Sequence, residues 1–167
     1  MSRAFVKESD DDLSAGELPE RPVSAHANYV TPLGMEQLRV RVRELAEQHE
    51  QLKAVAEEDS EAKRKLREVE RDQRYFNAQL EHAEVVDPAG HPPGEVRFGA
   101  TVKVEEADGR IETFHIVGDD EADVTVGKIS WGSPLAHSLI GAKVGETVKW
   151  QRPAGDTEVE IVAVEYR

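Results

Sequence analysis

Glu57, Glu58, Asp59 and Glu61 put four carboxylates within five residues, a dense set of like functional groups in a position to act together. Such a cluster repels itself unless a cation or a basic surface compensates. Hard oxygen donors of this kind suit Mg²⁺, best shared with ligands supplied from elsewhere; the plain alternative is a polar turn. A second charged set follows at once. Lys63, Arg64, Arg67, Arg71 and Arg74 lie along one helical flank, able to touch phosphates or an acidic protein wall. They could equally pair with Glu61, Glu68, Glu70 and Asp72 as a solvated face. Other chemistry finds no footing. There are no cysteines, and the six histidines share no metal-ligand spacing. No phosphate loop and no Ser-His-Asp order stands out, so no catalytic residue of its own and no stably bound metal is predicted.

Positioning the acids falls to residues 31–87. Apolar residues recur at Met35, Leu38, Val42, Leu45, Leu52 and Ala56, then at Ala62, Leu66, Val69, Phe76, Leu80 and Ala83. The intervals alternate three and four, with His49 and Gln73 at the two remaining seam positions. Paired in reverse, opposing members sum to 118, as with Leu45 and Gln73. A heptad seam mirrored about residue 59 describes an antiparallel helical hairpin that closes on itself, which predicts a monomer. Thr31 is an N-cap candidate with Pro32 behind it. The first helix then runs to about Ala56, and its seam spans roughly 33 Å at 1.5 Å per residue. Ser60 is the cap candidate for the second helix, which ends before Asp87-Pro88. The acids sit at the tip of a thin arm.

On either side of the arm the composition changes. Residues 1–28, with SDDD, Pro19 and Pro22, read as an acidic flexible leader in which only Phe5 and Val6 offer packing. DPAGHPPGE makes residues 88–95 a linker. Residues 96–167 show period-two patterning: Val102 and Val104, an Asp108-Gly109 turn, then Phe114 and Ile116. Val124–Val126 and Ile129–Trp131 read as a further strand or two. Ser133-Pro134 opens a short helix from Leu135 to Ile140, and two strands follow around Thr147–Trp150 and Val159–Tyr166. The fold class is α+β: a helical hairpin followed by a small, mostly antiparallel β domain with one helix.

Net charge is −13, with an acidic excess in leader, arm and β domain alike. No segment is basic, which argues against direct binding of duplex DNA, because neutralising phosphates supplies most of that affinity. A protein partner with a basic channel fits better. With no apolar targeting stretch and no run of membrane length, a cytoplasmic location without membrane contact is expected.

The blocks IVGDDEAD, ISWGSPLAHSLIGAKVG and PAG followed by EIVAVEY resemble the C-terminal domain of the GreA/GreB transcript-cleavage factors, in order and in spacing. YVTPLGMEQL and LREVERDQRYFNAQLEHAEVVD resemble the two ends of that family's arm, so the resemblance covers residues 29–167. It implies an FKBP-like domain docking on bacterial RNA polymerase through Asp119, Asp120, Glu121, Ser133, Pro134 and Leu135. The coiled-coil arm would then enter the secondary channel, its tip acids acting at the polymerase's Mg²⁺ and near the nascent RNA 3′ end. No cofactor of its own is implied. The family's cleavage-competent tip reads GDxSENA; here the fold of the arm reads AVAEEDSEAKRK, without a counterpart, and the arm is shorter. The expectation is therefore a regulator that modulates or inhibits transcription without cleavage. A cleavage-stimulating elongation factor is the alternative, and an FKBP-like isomerase or chaperone the remote one.

Overall fold

Thr31 and Pro32 begin the arm as their residue types predict. In the computed structural model, which describes residues 18–167, the Thr31 hydroxyl accepts from the Gly34 N–H at 3.0 Å, and Pro32 opens α1 (Pro32–Lys53). This satisfies an N–H that a helix start otherwise leaves unpaired. The second cap differs from expectation. Asp59, not Ser60, caps α2 (Ser60–Glu81), accepting from the N–H groups of Glu61 at 2.9 Å and Ala62 at 3.3 Å. A carboxylate there also complements the positive end of the helix dipole, which a hydroxyl does not. Helix α1 stops at Lys53 rather than Ala56 because the chain tightens: the Val55 and Ala56 N–H groups both donate to the Leu52 carbonyl.

Between the helices, Leu38, Leu45 and Ala62 are buried. Gln73 Nε2 reaches the Leu45 carbonyl at 3.5 Å, the pair that the mirrored seam sets opposite each other. Helix α2 ends at Glu81, several residues early. The chain then forms β2 (Ala83–Val85), which pairs in parallel with β1 (Asn28–Val30). These short strands satisfy each other's backbone groups at the foot of the arm, where neither helix can. Periodicity over three residues is too short to reveal them.

The five other strands are β3 (Ala100–Glu106), β4 (Ile111–Val117), β5 (Lys128–Ser130), β6 (Thr147–Trp150) and β7 (Thr157–Tyr166), arranged β5-β4-β3-β7-β6. All neighbours are antiparallel except β4 and β5. Gly109, at φ +83°, makes the turn between β3 and β4 in a conformation that side chains disfavour. One face of the sheet holds Val102, Val104, Ile116 and Ile161, all fully buried, against Leu135, Ala136 and Leu139 of α3 (Pro134–Leu139). Trp131, Trp150 and Tyr166 pack half-buried at its margin.

Two sequence expectations need correction. Val124–Val126 is a 3-10 turn rather than a strand. The Asp123 carboxylate accepts from both the N–H (3.0 Å) and the hydroxyl (2.6 Å) of Thr125, a local closure that competes with strand pairing. The leader is also not loose throughout. Phe5 and Val6 lie outside the described residues, but from Glu20 onward the chain is pinned to the arm. Glu20 pairs with Arg74 at 2.6 Å, and the Arg21 guanidinium lies 4.0 Å from the Tyr75 ring centroid. His26 meets the Trp131 ring edge-on, centroids 4.6 Å apart. Among the described residues, no helix is long and apolar enough to cross a membrane.

Candidate functional site

At the tip the four carboxylates fall into two classes. Asp59 is held by its capping bonds. Glu61 is bound by Arg64 at 2.7 Å, with Lys65 at 3.6 Å. The Arg64 guanidinium holds the Glu61 carboxyl below the usual carboxylate range. Glu57 and Glu58 are exposed and make no side-chain ion pair or hydrogen bond among the described residues. Two adjacent free glutamates on a turn can approach a cation or a basic wall, while the other two are committed to holding helix α2. Among the described residues, no three acidic or histidine side chains stand in a metal-ligating arrangement.

The basic flank thins in the same way. Arg64 bridges Glu61 and Glu68. Arg71 lies 3.2 Å from Asp72, and Arg74 is taken by Glu20. Lys63 and Arg67 are the members left exposed without an ion pair among the described residues. Most of the strip is thus a paired, solvated face, with two cations close behind the tip.

Residues expected to face a partner from the β domain do something else. Asp119 accepts from Ser24 at 2.8 Å and from the Ser130 hydroxyl. Asp120 accepts from the Tyr75 hydroxyl and from Gln79 Nε2, each at 2.8 Å. Burial first, and the bond to Asp120 second, push the Tyr75 phenol well above its ordinary pKa, so it remains a donor. Glu121 accepts from the N–H groups of Thr31 (3.0 Å) and Gly118 (3.1 Å), and from the Thr31 hydroxyl. Asp120 and Glu121 therefore lash the arm to the β domain, and Asp119 ties the leader to it. Ser133 caps α3 by accepting from the Ala136 N–H at 3.2 Å, and Leu135 is buried in the core. Of the six, Pro134 and Asp120 are exposed, Asp120 while bonded to the arm.

Comparison with known proteins supplies a family. The family model "Transcription elongation factor, GreA/GreB, C-term" matches residues 91–166. "Transcription elongation factor GreB" of Neisseria meningitidis serogroup A is 40% identical over 153 residues, covering 83% of this chain and 94% of that protein. The chain belongs to the GreA/GreB family. "Transcription elongation factor GreA" of Alkalilimnicola ehrlichii is 41% identical over 127 residues, covering 75% of this chain and 73% of its own. Among solved structures, "Prokaryotic transcription elongation factor GreA/GreB from Nitrosomonas europaea" is 25% identical. It covers 83% of this chain and 99% of its own, at a TM-score of 0.42.

For this Gre-family chain, sequence reasoning missed the clasp formed by Glu121, Thr31 and Asp120. The signal was present as three successive acids in a β domain whose own cations are few. Nothing local said that their partners in the leader and arm lay 41 to 95 residues upstream. The leader's role at the junction, through Ser24 and His26, was likewise invisible to periodicity.

Proposed function

We infer that this Gre-family transcription elongation factor binds bacterial RNA polymerase, inserts its arm in the secondary channel and restrains synthesis without cleaving RNA. One observation carries the reading: only Glu57 and Glu58 of the tip acids are free, Asp59 and Glu61 being held in the cap and ion pair of α2. Two-metal hydrolysis needs oxygen ligands placed within about half an ångström. Two flexible glutamates on a turn are suited instead to attracting the polymerase's Mg²⁺ electrostatically, or to blocking the path to it. Lys63 and Arg67 stand behind them, where the RNA 3′ end or an acidic wall would pass. The protein itself is no enzyme; it alters what the polymerase does.

Docking falls to the β domain, whose area supplies affinity while the arm supplies reach. With Asp119 occupied by the leader and Asp120 and Glu121 by the arm, the exposed apolar pair Val124 (82% exposed) and Val126 (66%) is the better anchor, together with Pro134. The double variant V124S/V126S should bind polymerase at least about tenfold more weakly by pull-down titration. Unchanged binding would move the docking surface elsewhere. The function is tested by adding the protein to stalled elongation complexes and scoring RNA shortening and run-off yield together. Reduced run-off without shortening is expected. Efficient shortening would establish the cleavage-stimulating reading instead.

A further inference from the structure

Residues 20–28 touch both halves of the molecule. On the arm, the Arg21 guanidinium lies 4.0 Å from the Tyr75 ring centroid and 3.5 Å from Asp72. On the β domain, the Ser24 hydroxyl donates to Asp119 at 2.8 Å. His26 packs edge-on against Trp131, with its Nε2 3.4 Å from Asp119. The fit there is close. A Cβ on Gly132 would stand 2.7 Å from His26 Nε2, so a larger residue would have to displace the imidazole. Only Pro22 and Val23 separate Arg21 from Ser24. A proline fixes one of the few dihedrals in that span, so little slack remains between the two anchorages.

The remaining ties between arm and β domain lie close to the foot. Glu121 holds Thr31, where α1 starts, and Asp120 holds Tyr75 and Gln79. Tyr29 packs on Trp131 just before α1. Strands β1 and β2 pair only with each other. Ties near a pivot resist tilting weakly, because their lever is short. The contact of Arg21 with Asp72 lies highest, nine residues before the end of α2, or roughly 13 Å up the helix. Arg21 also acts through Tyr75, covering the ring whose hydroxyl reaches Asp120. Small angles matter on an arm of this length. Helix α1 has 22 residues, so a tilt of about ten degrees at the foot moves the tip by roughly 6 Å.

We propose that residues 20–28 form a brace that sets the angle between the arm and the β domain, with Arg21 and His26 as its two anchors. Both are positioning residues, acting on the tip only through Tyr75 and Trp131. In a polymerase channel the brace would decide where Glu57 and Glu58 arrive. The angle itself is a property of the free protein and can be measured without any partner.

Distances between paired spin labels test this on the full chain, which has no native cysteine to replace. Labels at V55C, a tip residue 51% exposed, and I111C, a β-domain residue 60% exposed, report the angle. Labels at V55C and L33C, the latter site also 60% exposed, report the arm alone. In R21A/H26A the tip-to-β distribution should broaden at least about twofold, or its centre should move by roughly 6 Å, the ten-degree displacement. The distribution within the arm should keep its width and centre. An unchanged tip-to-β distribution overturns the proposal. Broadening of both distributions overturns it too, because the leader would then be holding the arm folded rather than angled.

Discussion

Thr31 and Glu121, ninety residues apart in sequence, share one hydrogen-bonded cluster at the junction of arm and β domain. The Thr31 hydroxyl caps α1 through the Gly34 N–H and donates in turn to Glu121, while its own N–H donates to the second Glu121 oxygen at 3.0 Å. The residue that starts the helix is thus also the residue that anchors it. A single threonine sets where the arm begins and the direction from which it leaves the sheet.

Gly34 is where this arrangement is most exposed to substitution. A Cβ built on it would collide with the Glu121 carboxyl. Alanine favours a helix over glycine by up to ~1 kcal/mol, but displacing a part-buried carboxylate from its donors costs about 2–3 kcal/mol. Gly34→Ala should therefore destabilise the protein by about 1–2 kcal/mol in urea melts, and Thr31→Ala by a similar amount. A neutral or stabilising Gly34→Ala would mean that Glu121 moves aside without penalty.

The tip acids should separate by role. E57Q/E58Q should relieve inhibition of run-off synthesis by most of its amplitude while leaving stability unchanged. Asp59→Asn keeps an efficient cap and should alter neither, whereas Asp59→Ala should cost about 1 kcal/mol of stability. Inhibition that survives E57Q/E58Q but disappears with Asp59→Asn would reverse the assignment.

Arg21 should be the strongest single contact of the leader with the arm. Its guanidinium lies over Tyr75 and Phe76 and 3.5 Å from Asp72. Arg21→Ala should cost about 1 kcal/mol and increase hydrogen exchange around Tyr75. By contrast, Glu20→Ala, at a fully exposed pair, should leave the melting curve unchanged. Identical melting and exchange in Arg21→Ala would show that the leader adds nothing to the arm's foot.

Two groups of the β domain give opposite pH dependences. Burial, aided by the Lys128 charge, holds His115 below its ordinary 6.5, so the unfolded chain takes up this proton first as pH falls. Stability from His115 is present above pH 6.5 and declines as pH drops toward the folded value. Burial and the neighbouring Glu106 carboxylate raise Glu112 above 4.5. Its contribution is present below pH 4.5 and is lost as pH rises through the folded value. Melts from pH 8 to 5 should thus fall less steeply in His115→Gln, and Glu112→Gln should be the more stable at pH 7. Parallel curves for wild type and His115→Gln would remove the histidine from the account.

Much of this architecture was legible in advance. Leu45 and Gln73 could be paired by counting, because a heptad seam closed within one chain has only one mirror. Thr31-Pro32 announced a helix start through local chemistry, and Val102, Val104 and Ile116 announced a buried sheet face through strict alternation. The count of acids at the tip could be read, but not their division. That depended on which carboxylate met the first free N–H groups of α2 and which met Arg64.

The pieces were readable from residue order: a self-closing arm, an acidic turn, a β domain and the family to which they belong. These follow from periodicity and local capping, which act over a few residues and leave their mark in every turn or strand. How the pieces are joined emerged only in three dimensions. Asp119, Asp120 and Glu121 resemble any exposed acidic loop until Ser24, Tyr75, Gln79 and Thr31 are brought against them. A hydrogen bond between residues tens of positions apart has no period. It depends on where two rigid elements meet, and that is settled by the packing of the whole chain.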